Sequence, residues 1–144
     1  MATNLVYRNT DADNRVETLA ATYLSGLPVL SLASKPAVTV TASGDSTRSE
    51  VIPGVGTMTG IPNGGAGLVG KQVTLAFDGT WEFTAASFTG TAPVPTTIAQ
   101  GTLVYITSGM LLTLTVTANT LYGYVDFPPT YNKTRGFVPV RIGV

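Results

Sequence analysis

The stretch Val73-Thr74-Leu75-Ala76-Phe77-Asp78-Gly79-Thr80-Trp81-Glu82-Phe83 decides the fold. Its odd positions are apolar or glycine, and the even positions between them are Thr, Ala, Asp, Thr and Glu. A period of two marks a β-strand with one buried and one wet face. The stretch also holds the only tryptophan and two of the five phenylalanines. Val73, Leu75, Phe77, Trp81 and Phe83 are therefore expected to form the centre of a β core.

Asp78-Gly79 within this stretch permits two readings. Asp-Gly between alternating segments is a two-residue hairpin signal, because both residues tolerate φ > 0. A hairpin, however, would place Trp81 and Phe83 on the face of Thr74 and Ala76, opposite Val73, Leu75 and Phe77. One continuous strand keeps all five large apolar residues together, with Gly79 marking a bend. Side-chain parity thus favours the bent continuous strand.

The surrounding composition limits what such a domain does. At 144 residues a single core suffices without a staple. With no cysteine there is no disulfide framework or thiolate metal site, and with no histidine the usual general base is missing. No cofactor is implied, and an enzyme is the weakest functional class. Eight basic residues balance eight acidic ones, so no basic stripe exists for nucleic acid. No stretch reaches the roughly 18 apolar residues of a membrane span, and no signal peptide is visible. Charged residues are 11% of the chain and hydrophobic ones 44%, against about 25% charged in an ordinary domain. That balance suggests a surface partly covered by other protein.

Residues 1–23 read as an N-terminal arm and 24–144 as a single β domain. The arm carries Arg8, Asp11, Asp13, Arg15 and Glu17 and lacks glycine and proline. Asn14 and Glu17 have capping-box spacing for a short helix; the favoured reading is an extended arm, whose Thr and Tyr residues suit a strand, ordered on a neighbour and holding at most one helical turn. Beyond it, Val29–Leu32, Ala37–Thr41, Leu103–Ile106, Met110–Thr117, Leu121–Val125 and Phe137–Ile142 read as short strands between turn signals. The glycine-dense stretch from Gly54 to Gly70 is expected to be irregular. Short strands at this spacing give a small all-β barrel or sandwich with long loops.

Other motifs lose to simpler readings. Gly65-Ala66-Gly67-Leu68-Val69-Gly70 fits a dinucleotide fingerprint, and with Lys71 a phosphate loop. Both need a preceding strand and a following helix, and here a Pro-Gly loop leads into a strand. Asp78 and Glu82, read as sharing the solvent face, would lie about 13 Å apart on one strand, beyond the roughly 5–9.5 Å of glycosidase carboxylates. Asn132-Lys133-Thr134 is a glycosylation sequon that is idle without secretion. Met110–Val116 has no charge and no proline, so as a free edge it invites aggregation. It is expected to be paired within the sheet or covered by another subunit.

In order along the chain, Ser25-Gly26-Leu27-Pro28-Val29, Val73–Phe83, Gly101-Thr102-Leu103-Val104-Tyr105, Thr117–Gly123 and Val138-Pro139-Val140-Arg141-Ile142 resemble the bacteriophage capsid decoration (head cement) proteins of the DUF2190-like type. Two departures are visible: about forty residues separate the first two segments, which are close in the family, and Asp126 stands where the family is Ala-rich. The resemblance implies a β-barrel or β-tulip domain that forms a homotrimer on the outer capsid surface of the virion. Its partner would be the major capsid protein, between whose subunits it binds to stabilise an icosahedral head. Leu5, Val6, Tyr7 and Arg8 of the arm are the expected capsid contacts. The alternative is a carbohydrate- or receptor-binding module of a tail fibre or cell surface, stacking sugars on Tyr122, Tyr124 or Tyr131.

Overall fold

A computed structural model describes residues 5–7, 14–44, 47–62 and 68–143; at 5–7, 43–44, 47–48, 60–62 and 68–69 it describes the backbone alone. In chain order the strands are β1 (Leu5–Tyr7), β2 (Asn14–Thr18), β3 (Pro28–Leu30), β4 (Pro36–Thr39), β5 (Ser43–Gly44), β6 (Thr47–Ile52) and β7 (Gly56–Pro62). They continue as β8 (Leu68–Val69), β9 (Gln72–Ala76), β10 (Gly79–Phe83), β11 (Leu103–Ile106), β12 (Leu112–Thr113), β13 (Thr120–Val125) and β14 (Val138–Ile142). Two short 3-10 turns, Ala85–Ser87 and Lys133–Arg135, interrupt the loops. The protein is all-β, as its alternating pattern predicts.

The largest sheet has the order β1-β10-β14-β13-β11-β12 and curls into a half-barrel. A four-stranded sheet, β2-β9-β4-β3, packs against it. Between them lies the main core: Trp81, Phe83, Val104, Ile106, Leu112, Tyr122, Val125, Val138, Val140 and Ile142 meet Val38 and Ala76 of the smaller sheet. A second cluster, Leu19, Val29, Ala37, Val73 and Leu75, occupies the opposite face of the smaller sheet. β4 and β9 are thus buried on both faces, which is why the neighbours Ala37 and Val38 are both inaccessible.

The Val73–Phe83 stretch is neither the hairpin nor the continuous bent strand. β9 and β10 belong to different sheets, and the chain crosses between them at Phe77–Asp78. Val73 and Leu75, with Phe77 against them, fill the second cluster, whereas Trp81 and Phe83 enter the main core beside Ala76. The facing is therefore the one a hairpin would give, reached by a corner instead. Gly79 makes the corner possible at φ 98°, a conformation that costs glycine little. The Trp81 indole N–H donates to the Asp78 carbonyl oxygen at 2.8 Å and ties the corner down.

The outer side of β10 is not solvated either. Thr80 and Glu82 are buried, and residues 127–137 fold back over Glu82. The Tyr131 hydroxyl donates to Glu82 Oε1 at 2.7 Å. Arg135 completes a forked pair to both Glu82 oxygens at 2.9 and 3.2 Å. This corrects the expectation of an exposed Asp78–Glu82 face: Asp78 is half-buried and Glu82 is engaged.

The proposed division at residue 23 also changes. Asn14–Thr18 is a strand, not a helix, and pairs with β9 over its full length. Glu17 is buried and accepts the Leu32 N–H at 2.9 Å. Leu19 belongs to the second cluster, and the Thr39 hydroxyl donates to the Leu24 carbonyl at 2.6 Å. From Asn14 onward the chain is part of the β domain. β1 pairs with β10 at the edge of the large sheet.

Candidate docking surfaces

The glycine-dense stretch, expected to be irregular, contains β7, which pairs with β6 as a hairpin. Its turn, Pro53-Gly54-Val55, is closed by the Val55 N–H donating to the Ile52 carbonyl at 3.1 Å. Gly54 and Gly56 supply φ of +81° and +101° there. The hairpin stands away from the core. Val51, Val55 and Met58 are 74%, 71% and 44% exposed, and among its residues whose burial is described only Ile52 is half-buried. A two-stranded hairpin is marginal in water on its own. At its base the short parallel pair β5–β8 lies beside β9 and roots it in the domain.

A second surface is the far edge of the large sheet. The expected long strand Met110–Thr117 pairs only through Leu112 and Thr113, opposite Ile106 and Tyr105, with Phe88 bridging Leu112 on the other side. The chain then bends away and satisfies its own backbone. The Thr115 N–H donates to Thr113 Oγ1 at 3.2 Å, and Asn119 Nδ2 donates to the Thr115 carbonyl at 2.9 Å. That bend blunts the edge, yet Leu111, Leu114 and Val116 stay exposed. On the outer sheet face next to it, Leu103 opposes Tyr124 and Tyr105 opposes Leu121, a group of apolar and aromatic side chains.

A third feature is a cleft of about 410 Å³ lined by Lys35, Pro36, Phe77, Leu121, Tyr122, Gly123 and Gly143. It lies where the β3–β4 turn, the Phe77 corner and β13 converge.

The sequence-predicted site residues fall in several places. Leu5, Val6 and Tyr7 form β1, whose backbone pairs with β10 through Leu5 opposite Trp81 and Tyr7 opposite Thr80. Arg8 lies outside the described residues, as do Gly65, Ala66 and Gly67 of the decoy phosphate motif. Val73, Leu75, Trp81 and Phe83 are fully buried and Phe77 half-buried.

Two of the three tyrosines considered for sugar stacking are committed elsewhere. Tyr122 is buried, and its hydroxyl donates to the Ala37 carbonyl at 2.7 Å. Tyr131 stacks on Phe127 at 6.1 Å between ring centroids while its hydroxyl holds Glu82. Burial raises the ionisation of both phenols above the ordinary range; at Tyr131 the hydrogen bond to Glu82 and that carboxylate's charge add to it. Asn132 of the sequon accepts from the Thr134 N–H and hydroxyl and so caps the 3-10 turn.

Among the described residues no group of His, Cys, Asp or Glu has the arrangement of a metal site. Glu82–Arg135 and Asp126–Arg141 are ion pairs that each tie a strand to a loop, and Arg15–Glu17 is an ion pair within β2. The hairpin and the cleft carried no sequence signal that spacing could reveal. No family model matches the chain, nor does any curated protein or solved structure.

Proposed function

We propose that this chain is a structural protein of a phage virion that binds between major capsid protein subunits and stabilises the head. The observation that carries the reading is the β6–β7 hairpin, which presents Val51, Val55 and Met58 to solvent without a core of its own. Apolar surface on a projecting element gains free energy when a partner covers it, at about 25 cal/mol per Å². The low charge of the chain and the ordered resemblance of its segments to decoration proteins support the same reading. Self-association as a homotrimer on the outer capsid surface belongs to it, and several weak contacts would then act together through effective concentration.

β1 is already engaged with β10 through its backbone, so capsid contact by Leu5, Val6, Tyr7 and Arg8 is the secondary element of this proposal. The test is electron microscopy of empty heads from the same phage, incubated with the wild-type protein or with V51K/V55K/M58K. The wild type should add density between capsomers, and the folded triple variant should not. Absence of density with the wild type, together with saturable binding to a glycan, would replace this reading by the sugar-binding one.

A further inference from the structure

We propose that the cleft between the Lys35–Pro36 turn and β13 binds an amphiphilic carboxylate, an apolar body carrying a single anionic head. This inference does not depend on capsid binding. The cleft's volume of about 410 Å³ falls within the roughly 300–1,000 Å³ of small-molecule sites. Besides Lys35 it is lined by Pro36, Phe77, Leu121, Tyr122, Gly123 and Gly143. Apolar walls with few polar groups are the usual composition of such sites.

The lining contains one charge. Lys35 is exposed, and among the described residues no ion pair or hydrogen bond holds its ammonium. An ammonium offers three donors to a carboxylate, and this one has no internal competitor among the described residues. Arg15, the other cation nearby, is used: its guanidinium lies 4.9 Å from the Phe77 ring centroid and pairs with Glu17. Asp78 follows Phe77 at the corner but does not line the cleft. The one charge among the lining residues is thus positive and most of the others are apolar, the complement of a carboxylate with an apolar tail.

The shape of the cleft is fixed by the core. Tyr122 is anchored to the Ala37 carbonyl, and Gly143 packs so closely on the corner that a Cβ there would meet the Phe77 carbonyl oxygen at 2.8 Å. A site with walls held this way needs little ordering on binding.

The probe is decanoate below its micelle threshold, measured by calorimetry against decyltrimethylammonium of equal chain length. Decanoate should bind saturably at one site and shift the amide resonances of Gly123 and Gly143. Decyltrimethylammonium should not bind. Lys35→Glu should weaken decanoate by about tenfold or more, and Leu121→Asp should weaken it comparably; both positions are exposed, so melting temperatures serve as the folding control. The proposal is overturned by absence of saturable decanoate binding to the wild type, equal binding of the cation, or unchanged affinity in Lys35→Glu.

Discussion

The Tyr122 hydroxyl donates a hydrogen bond to the Ala37 carbonyl oxygen at 2.7 Å, 85 residues away in sequence, and so joins β13 of the large sheet to β4 of the small one. Phe83 meets the same ring edge-on at 6.0 Å between centroids, so Tyr122 is fixed from two directions in the main core. Tyr122→Phe keeps the ring and deletes the bond. A buried carbonyl that loses a partner costs about 1–3 kcal/mol, and urea unfolding should show a loss of that size. A wild-type midpoint in the variant would mean that the two sheets do not depend on this bond.

The raised ionisation of Tyr122 and Tyr131 has a definite pH consequence. The unfolded chain releases these phenolic protons near pH 10, whereas the folded chain holds them. The stability they contribute is therefore intact below about pH 10 and falls as pH climbs from there toward the raised values. Ultraviolet titration should show an ionisation phase well above pH 10, coincident with unfolding. Tyr122→Phe and Tyr131→Phe should each reduce it.

Glu82 holds residues 127–137 against the sheet through Tyr131 and Arg135. Forked guanidinium–carboxylate pairs are among the stronger polar contacts, although half of the Arg135 side chain is exposed and solvent weakens it. Glu82→Gln keeps one acceptor and removes the charge. A stability loss of about 1–3 kcal/mol is expected, with faster amide exchange confined to residues 126–137. In a double-mutant cycle with Arg135→Gln, most of that loss should appear as coupling.

Much of the strand content was legible locally. The expected strands Leu103–Ile106, Phe137–Ile142 and Ala37–Thr41 alternate or run apolar between turn residues, and strands form there at Leu103–Ile106, Val138–Ile142 and Pro36–Thr39. The corner at Phe77–Asp78 was not legible, because parity assumes one sheet and says nothing when successive halves enter different ones. Glu82 looks solvent-facing until Tyr131 and Arg135, about fifty residues later, engage it. Glycine density hid β7, since Gly54 and Gly56 serve the hairpin turn rather than disrupt the strands. The cleft was invisible for a similar reason: Lys35, Phe77 and Leu121 are far apart in sequence and meet only through sheet packing.

Thr80 is fully buried in β10, and its Oγ1 has no hydrogen-bond partner among the described residues. A hydroxyl moved from water into the interior without a partner is a net cost. Thr80→Val replaces it with a methyl group of similar shape and keeps the β-branched side chain that strands favour. The variant should be more stable than wild type by about 1 kcal/mol, read as a higher urea midpoint with an unchanged slope. A destabilised variant would show that the hydroxyl is satisfied in solution.

Gly123 lies in β13 directly across from β14, where the strands approach so closely that a Cβ would overlap the Arg141 carbonyl oxygen. That oxygen is backbone and cannot swing aside as a flexible side chain would. Val140 Cγ1 stands 3.3 Å from the same point, which closes the other direction of escape. Gly123→Ala must therefore push β13 and β14 apart at the centre of the large sheet, between Tyr122 and Val125 of the core. Overpacking of this kind costs about 1–3 kcal/mol and occasionally more. Gly90→Ala, at a surface turn with open space around it, serves as the comparison and carries only the strain of its positive φ. Thermal unfolding should place Gly123→Ala well below both wild type and Gly90→Ala, and the reverse order would refute the close strand approach.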